Sequence, residues 1–332
     1  MHTLLAAGDS SGWQSFLQYC QSGLTVGALF ALIALGYTMV YGIIELINFA
    51  HGDLFMLGTF MGITVLSVLG INTTTSAETG TGMLLAAIAL MLVVVPVFCA
   101  SLNWLVDRSV YRPLRNAPKL APLVSAIGVS FFFMNLGLFW NAGVYEAGRP
   151  VPAASPRAFP DLVSANNLLP EALGIRLTGK DALVLTVTIP IMIGLTLFVK
   201  YTPLGKAMRA TAQNPTAARL MGINVDRVIG ATFMIGGALG GVASVVYALY
   251  INTISYQVGF QMGLYAFTAA VLGGIGNIPG AVLGGLVIGL VRSLGSAYVG
   301  ETWTSALVFA VLILILVFRP SGLLGARTRE KV

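Results

Sequence analysis

The segment 200–227, KYTPLGKAMRATAQNPTAARLMGINVDR, decides how the rest of the chain is read. It is polar and basic, with Lys200, Lys206, Arg209, Arg219 and Arg227 against a single acid, Asp226, yet it lies between two long apolar runs. Its length suits two short helices and a turn. A basic loop between apolar spans belongs on the cytoplasmic side of a membrane. A loop built of short amphipathic helices also does more than connect spans: it offers a partner something to grip.

The composition agrees with a membrane setting. Of 332 residues, 57% are hydrophobic and only 9% charged, against about 25% charged in a soluble domain. The mean hydropathy is +0.87. The net charge of +6 is carried by loops, so it gives no support to nucleic-acid binding. Cys20 and Cys99 form neither a disulfide framework nor a metal-ligand spacing. Residues 1–20 lack the positively charged start of a cleaved signal peptide and read as an N-terminal tail.

An apolar run needs roughly 20 residues to cross the hydrocarbon core. Nine candidate spans follow, at about 22–44, 53–70, 83–106, 121–141, 182–199, 228–250, 262–275, 281–298 and 302–318. The second is slightly short and the seventh clearly so. The expected fold is therefore all-α, a polytopic transmembrane helical bundle of eight or nine spans with interrupted or re-entrant helices. It forms one domain with a long external loop at 142–181 and the basic loop at 200–227. Lys and Arg cluster at 107–119, at 200–227 and after Arg319 and are absent from the N-terminal tail, which predicts an outside N-terminus and a cytoplasmic C-terminus.

Glycines are spaced for close helix contact at Gly58/Gly62, Gly236/Gly240, Gly237/Gly241, Gly280/Gly284 and Gly285/Gly289. Two polar or helix-breaking segments interrupt the apolar sequence. The first, 45–53 (ELINFAHGD), contains Asn48, His51 and Asp53. The second, 273–280 (GGIGNIPG), contains Gly274, Gly276 and Asn277. Non-helical backbone at membrane depth survives only inside protein or beside a watery cavity, and paired interruptions point to a transport pathway. These six residues are the candidate pathway residues. For His51 and Asp53 two roles stand side by side: contact with a solute, or a helix cap from Asp53 and a hydrogen bond from His51 to a freed carbonyl. Asn48 and Asn277 have the same choice. Arg292, a cation within a span, pairs with Glu301 or snorkels.

Two apparent nucleotide motifs fail. The run 174–181 (GIRLTGKD) has Asp181 where a phosphate loop needs Ser or Thr, and 274–279 (GIGNIP) lacks the third glycine of a dinucleotide fingerprint. No catalytic or metal constellation remains, so the chain reads as a transport subunit and not an enzyme, with its energy expected from a partner or an ion gradient.

The runs 23–60 (GLTVGALFALIALGYTMVYGIIELINFAHGDLFMLGTF), 109–115 (SVYRPLR), 123–130 (LVSAIGVS), 219–230 (RLMGINVDRVIG), 266–289 (AFTAAVLGGIGNIPGAVLGGLVIG) and 319–325 (RPSGLLG) resemble the permease family of branched-chain amino acid ABC importers, LivH type. The resemblance extends over nearly all of 16–326. It implies an inner-membrane subunit that pairs with a homologous second permease, two cytoplasmic ATP-binding subunits and a periplasmic solute-binding protein. ATP and Mg then belong to the ATPase partners, with no cofactor or metal in this chain. The resemblance also places the ATPase-coupling contact on 209–224, with Arg209, Ala210, Asn214, Ala217, Ala218, Arg219, Gly222 and Asn224. INFAHGD and GGIGNIPG match the motifs flanking the pathway. A urea or short-amide importer permease shares the architecture and stays open as an alternative. A secondary carrier moving protons through Asp53 and Glu45 is the reading from a different class. The solute and the homodimeric or heterodimeric make-up of the pore also stay open.

Overall fold

The computed structural model describes residues 12–325 except Glu45, Ile47, Ala77, Asn116, Lys119, 142–144, 147–148, Val151 and 169–175. Residues 1–11 of the expected tail, Glu45, Gly174 of the false phosphate loop, and Arg327, Arg329 and Lys331 lie outside the described residues.

The described chain is a helical bundle. Its elements are α1 (Gly12–Ile44), α2 (Ala50–Val68), α3 (Thr81–Val106), α4 (Leu120–Asn141), α5 (Gly179–Tyr201), α6 (Pro203–Gln213), α7 (Pro215–Leu220), α8 (Val225–Ile251), α9 (Val258–Gly273), α10 (Ile278–Tyr298) and α11 (Glu301–Phe318). A π-helical turn, Asp107–Tyr111, continues α3. Among the described residues, eight helices are long and apolar enough to cross a membrane, and α9 is a shorter apolar helix of 16 residues. The expected short seventh span is thus present as a short helix. One boundary moved: α1 begins at Gly12, so residues 12–20 are helical and not tail.

Helix starts follow local chemistry. Thr178 and Asp181 form a reciprocal capping box at α5. Thr202, Asn214 and Asn277 each cap a helix that carries Pro in its first two positions, where a missing N–H costs nothing. Only side chains with an acceptor oxygen occupy these caps, which is why the breaks fall where they do.

The loops gather at two ends. At one end Arg112 and Arg115 reach Asp226 at the start of α8. There too Gly42 near the end of α1 faces Gly276, and the backbone N–H groups of Leu323 and Leu324 donate to Leu272 and Gly273. Most of the described Lys and Arg lie at this basic end. At the opposite end the Phe159 N–H donates to the Asn252 carbonyl, and Lys180 pairs with Asp161 at 3.0 Å. A two-residue strand, Arg157–Ala158, pairs antiparallel there with Thr253–Ile254.

Helices α1, α2 and α8 form the buried centre, whereas α4, α5 and α11 keep most of their surface outward. The centre closes through small residues. A Cβ on Gly27 would stand 2.8 Å from Leu286 Cα of α10, and one on Gly237 would stand 2.5 Å from the Cys99 carbonyl of α3. In lipid no hydrophobic force drives helices together, so backbone contact of this kind supplies dispersion energy that larger side chains would forfeit.

Candidate translocation site and coupling surface

The first interruption is built into the interior. Asn48 is 3% exposed; it donates to Asn103 Oδ1 of α3 at 3.3 Å and accepts from the Tyr111 hydroxyl at 3.1 Å. Asn103 donates onward to the Phe233 carbonyl of α8 at 2.7 Å. Asn48 therefore ties the start of α2 to three other elements. Asn103 and Tyr111 were not singled out from sequence. The signal was available, since an Asn within the apolar run 83–106 is costly without partners.

His51 is buried between helices. Its ring packs edge-on to Tyr37 at 4.7 Å, and a Cβ on Gly36 or Gly240 would press against it. Neither ring nitrogen makes a well-formed hydrogen bond among the described residues; the backbone acceptor it faces is the Ile33 carbonyl, inside the unbroken α1 and not a freed carbonyl as expected.

Asp53 does not cap α2 either. Phe49 occupies the cap position, and Asp53 lies in the first turn of the helix. It is 2% exposed and accepts a hydrogen bond from the Ser130 hydroxyl of α4 through Oδ2. Its Oδ1 has no partner among the described residues and lies beside Gly259 of α9, 2.7 Å from where a Cβ would be. Asp53 also lines a cleft of about 470 Å³ between α2, α4 and α9, together with Tyr37, Ser130 and a largely aromatic wall. Of the three candidates in the first interruption, only Asp53 lines this cleft.

The second interruption is a junction at the basic end. Gly274 and Gly276 have φ of +103° and +85°, a region that glycine enters without a Cβ penalty. Asn277 caps α10 by accepting from the Gly280 N–H at 3.1 Å, and its Nδ2 donates to the Leu324 carbonyl at 2.6 Å. These residues hold the segment after α11 against the end of α9, and none of the three is among the residues lining the cleft.

The basic loop folds as expected into two short helices and a turn. The side chain of Asn214 accepts from Thr216 and Ala217 N–H, both at 3.0 Å, to start α7. Gly222 supplies the turn at φ +83°, and Asn224 caps α8 through the Arg227 N–H at 3.1 Å. Arg209, Asn214, Ala217, Arg219, Gly222 and Asn224 are exposed, Ala210 is half-buried, and Ala218 faces inward at 4% exposure. Leu220 and Met221, absent from the sequence-based set, are 84% and 82% exposed, an apolar knob on a basic surface.

A charged link joins this surface to the first interruption. Arg115 bridges Asp226, two residues beyond Asn224, to Asp107 at 2.8 Å, and Asp107 opens the turn that carries Tyr111 to Asn48. Elsewhere, Arg292 does pair with Glu301, at 3.6 Å, and covers the rings of Phe30 and Tyr265.

A break in the apolar sequence beside a largely apolar cleft, with a capped basic loop at one end, suits a permease, and comparison with known proteins agrees. Residues 19–317 match the family described as branched-chain amino acid transport system / permease component. The chain belongs to this family. The high-affinity branched-chain amino acid transport system permease protein LivH of Escherichia coli K12 is 41% identical over 96% of this chain and 98% of its own length. BraD of Pseudomonas aeruginosa is similar at the same identity and coverage. A probable LivH of Methanocaldococcus jannaschii is 27% identical over 90% of this chain and 89% of its own. No solved structure matches the chain. The permease is a multi-pass membrane protein and a non-catalytic subunit of a transport system.

Proposed function

We propose that the chain is the inner-membrane permease subunit of an ATP-driven ABC importer that carries leucine, isoleucine and valine inward. The observation that carries this reading is the 41% identity to LivH along nearly the whole of both chains. The partners are a homologous second permease, two cytoplasmic ATP-binding subunits that hold ATP and Mg, and a periplasmic solute-binding protein. The basic end faces the cytoplasm, by the positive-inside bias, and the N-terminus faces outward. The chain acts as one permease domain, with 142–181 on the outer side and 200–227 as the coupling loop.

The ATPase grips 209–224. Arg209 and Arg219 supply charge to the contact, and Leu220 and Met221 supply its apolar centre. Coupling requires that the nucleotide-bound and free states of the ATPase hold this surface differently, since only differential contact shifts an equilibrium. The Asp226–Arg115–Asp107 link then carries displacement to the start of α2. Rocking of packed helices around the interruptions opens the path to alternate sides.

Uptake of labelled leucine and labelled urea, in cells with and without this chain, tests the assignment. Loss of leucine uptake alone is expected, and loss of urea uptake alone would move the substrate to short amides. Charge reversal at Arg209 or Arg219 is expected to cut leucine uptake at least tenfold while the subunit still accumulates in the membrane. Unchanged uptake by both variants would remove the coupling role from 209–224.

A further inference from the structure

The cleft between α2, α4 and α9 has the chemistry of a solute site. Its volume of about 470 Å³ lies within the roughly 300–1,000 Å³ of small-molecule sites. Ile127, Met134 and Leu264 give it an aliphatic lining, and the rings of Phe131, Phe260 and Phe267 an aromatic one. Among the described residues, Asp53 is the only charged one in that lining.

Asp53 is over-qualified for a structural part. An acid within a span costs about 2.5–3.5 kcal/mol on insertion scales, and one hydroxyl from Ser130 offsets little of that. The second carboxylate oxygen has no partner among the described residues. Among the described residues no Lys or Arg lines the cleft to neutralise it. The missing group is a cation small enough to enter an apolar space. Aromatic faces around the carboxylate would add cation–π attraction to the same charge. The Tyr37 phenol, standing over Gly263 on the same cleft, is the donor available to an accompanying carboxylate. An ammonium group joined to a branched aliphatic chain fits all three features. A fatty acyl chain fits only the walls, and an anion is repelled by Asp53.

We propose that this cleft binds the amino acid in transit, with Asp53 holding its ammonium group and the α4 and α9 side chains holding its apolar side chain. The site rests on the amino-acid permease reading given above. It also separates the two roles open to the first interruption: Asp53 meets the solute, and Asn48 and His51 hold the helix that presents it.

Photo-crosslinking tests the site in membranes containing the assembled transporter, with the diazirine analogue photo-leucine as probe and adducts mapped by mass spectrometry. Adducts are expected on α4 and α9 residues of the cleft. Excess leucine should remove them, whereas 4-methylpentanoate, which lacks the ammonium, should not. Asp53→Asn is expected to lower labelling at least tenfold, and Asp53→Glu to retain part of it. Met134→Trp fills the cleft without touching Asp53, so it should lose labelling at unchanged membrane abundance even if Asp53→Asn accumulates poorly. Competition by 4-methylpentanoate equal to that by leucine would overturn the proposal in favour of an acyl-chain site. So would adducts confined to other helices in cells that still take up leucine through this chain. If those cells take up no leucine, the transport reading fails and the site falls with it.

Discussion

The two interruptions look alike in sequence and differ in the folded protein. Each is a polar break in an apolar run, with an Asn near the start of the helix that follows. The break before α2 is interior, and Asn48 exchanges side-chain hydrogen bonds with Asn103 and Tyr111 from other elements. The break before α10 lies at the basic end, and Asn277 does local work, capping its own helix and holding the segment after α11. A buried polar group must find protein partners, whereas one near the surface has water in reserve. The comparison teaches that the same residue type at the same kind of break becomes a tertiary tie in one place and a helix cap in the other.

That difference can be tested by stability. Asn48→Leu strands the Asn103 Oδ1 and the Tyr111 hydroxyl in the interior, at about 1–3 kcal/mol for each group. It is expected to give the largest fall in the thermal midpoint of the purified subunit, together with loss of uptake. Gly274→Ala comes next. Its φ of +103° and a Cβ 2.5 Å from Gly325 N bring strain of about 1–3 kcal/mol. Limited proteolysis should show earlier cleavage in 319–325, with the core helices intact. Asn277→Ala is the smallest, at about 1 kcal/mol for a lost cap, and uptake should remain above half of normal. Equal damage from Asn277→Ala and Asn48→Leu would abolish the distinction.

Much of the fold was legible in the chain. Apolar length located the spans, including the short seventh, and the length and polarity of 200–227 indicated its two short helices and turn, whose caps at Asn214 and Asn224 the structure then showed. The start of α1 was misplaced because residues 12–20 mix polar and aromatic side chains, while helix formation there rests on contacts from distant sequence. Ser293 of α10 donates to the Tyr19 carbonyl, and Tyr19 packs against Tyr298. The candidate site was half legible. Asp53 stood out as an acid in an apolar run, but Ser130 and Tyr37 are unremarkable residue types whose importance comes only from proximity.

The sequence by itself determined a membrane bundle, its breaks, its basic loop and its family, because those depend on hydropathy, local capping and residue pattern along the chain. Tertiary structure alone decided that Asp53 borders a cleft while His51 is walled in two residues earlier. Adjacent positions on a helix point in different directions. Which direction meets a cavity and which meets the backbone of Gly36 and Gly240 is set by how α1, α4, α8 and α9 pack around α2.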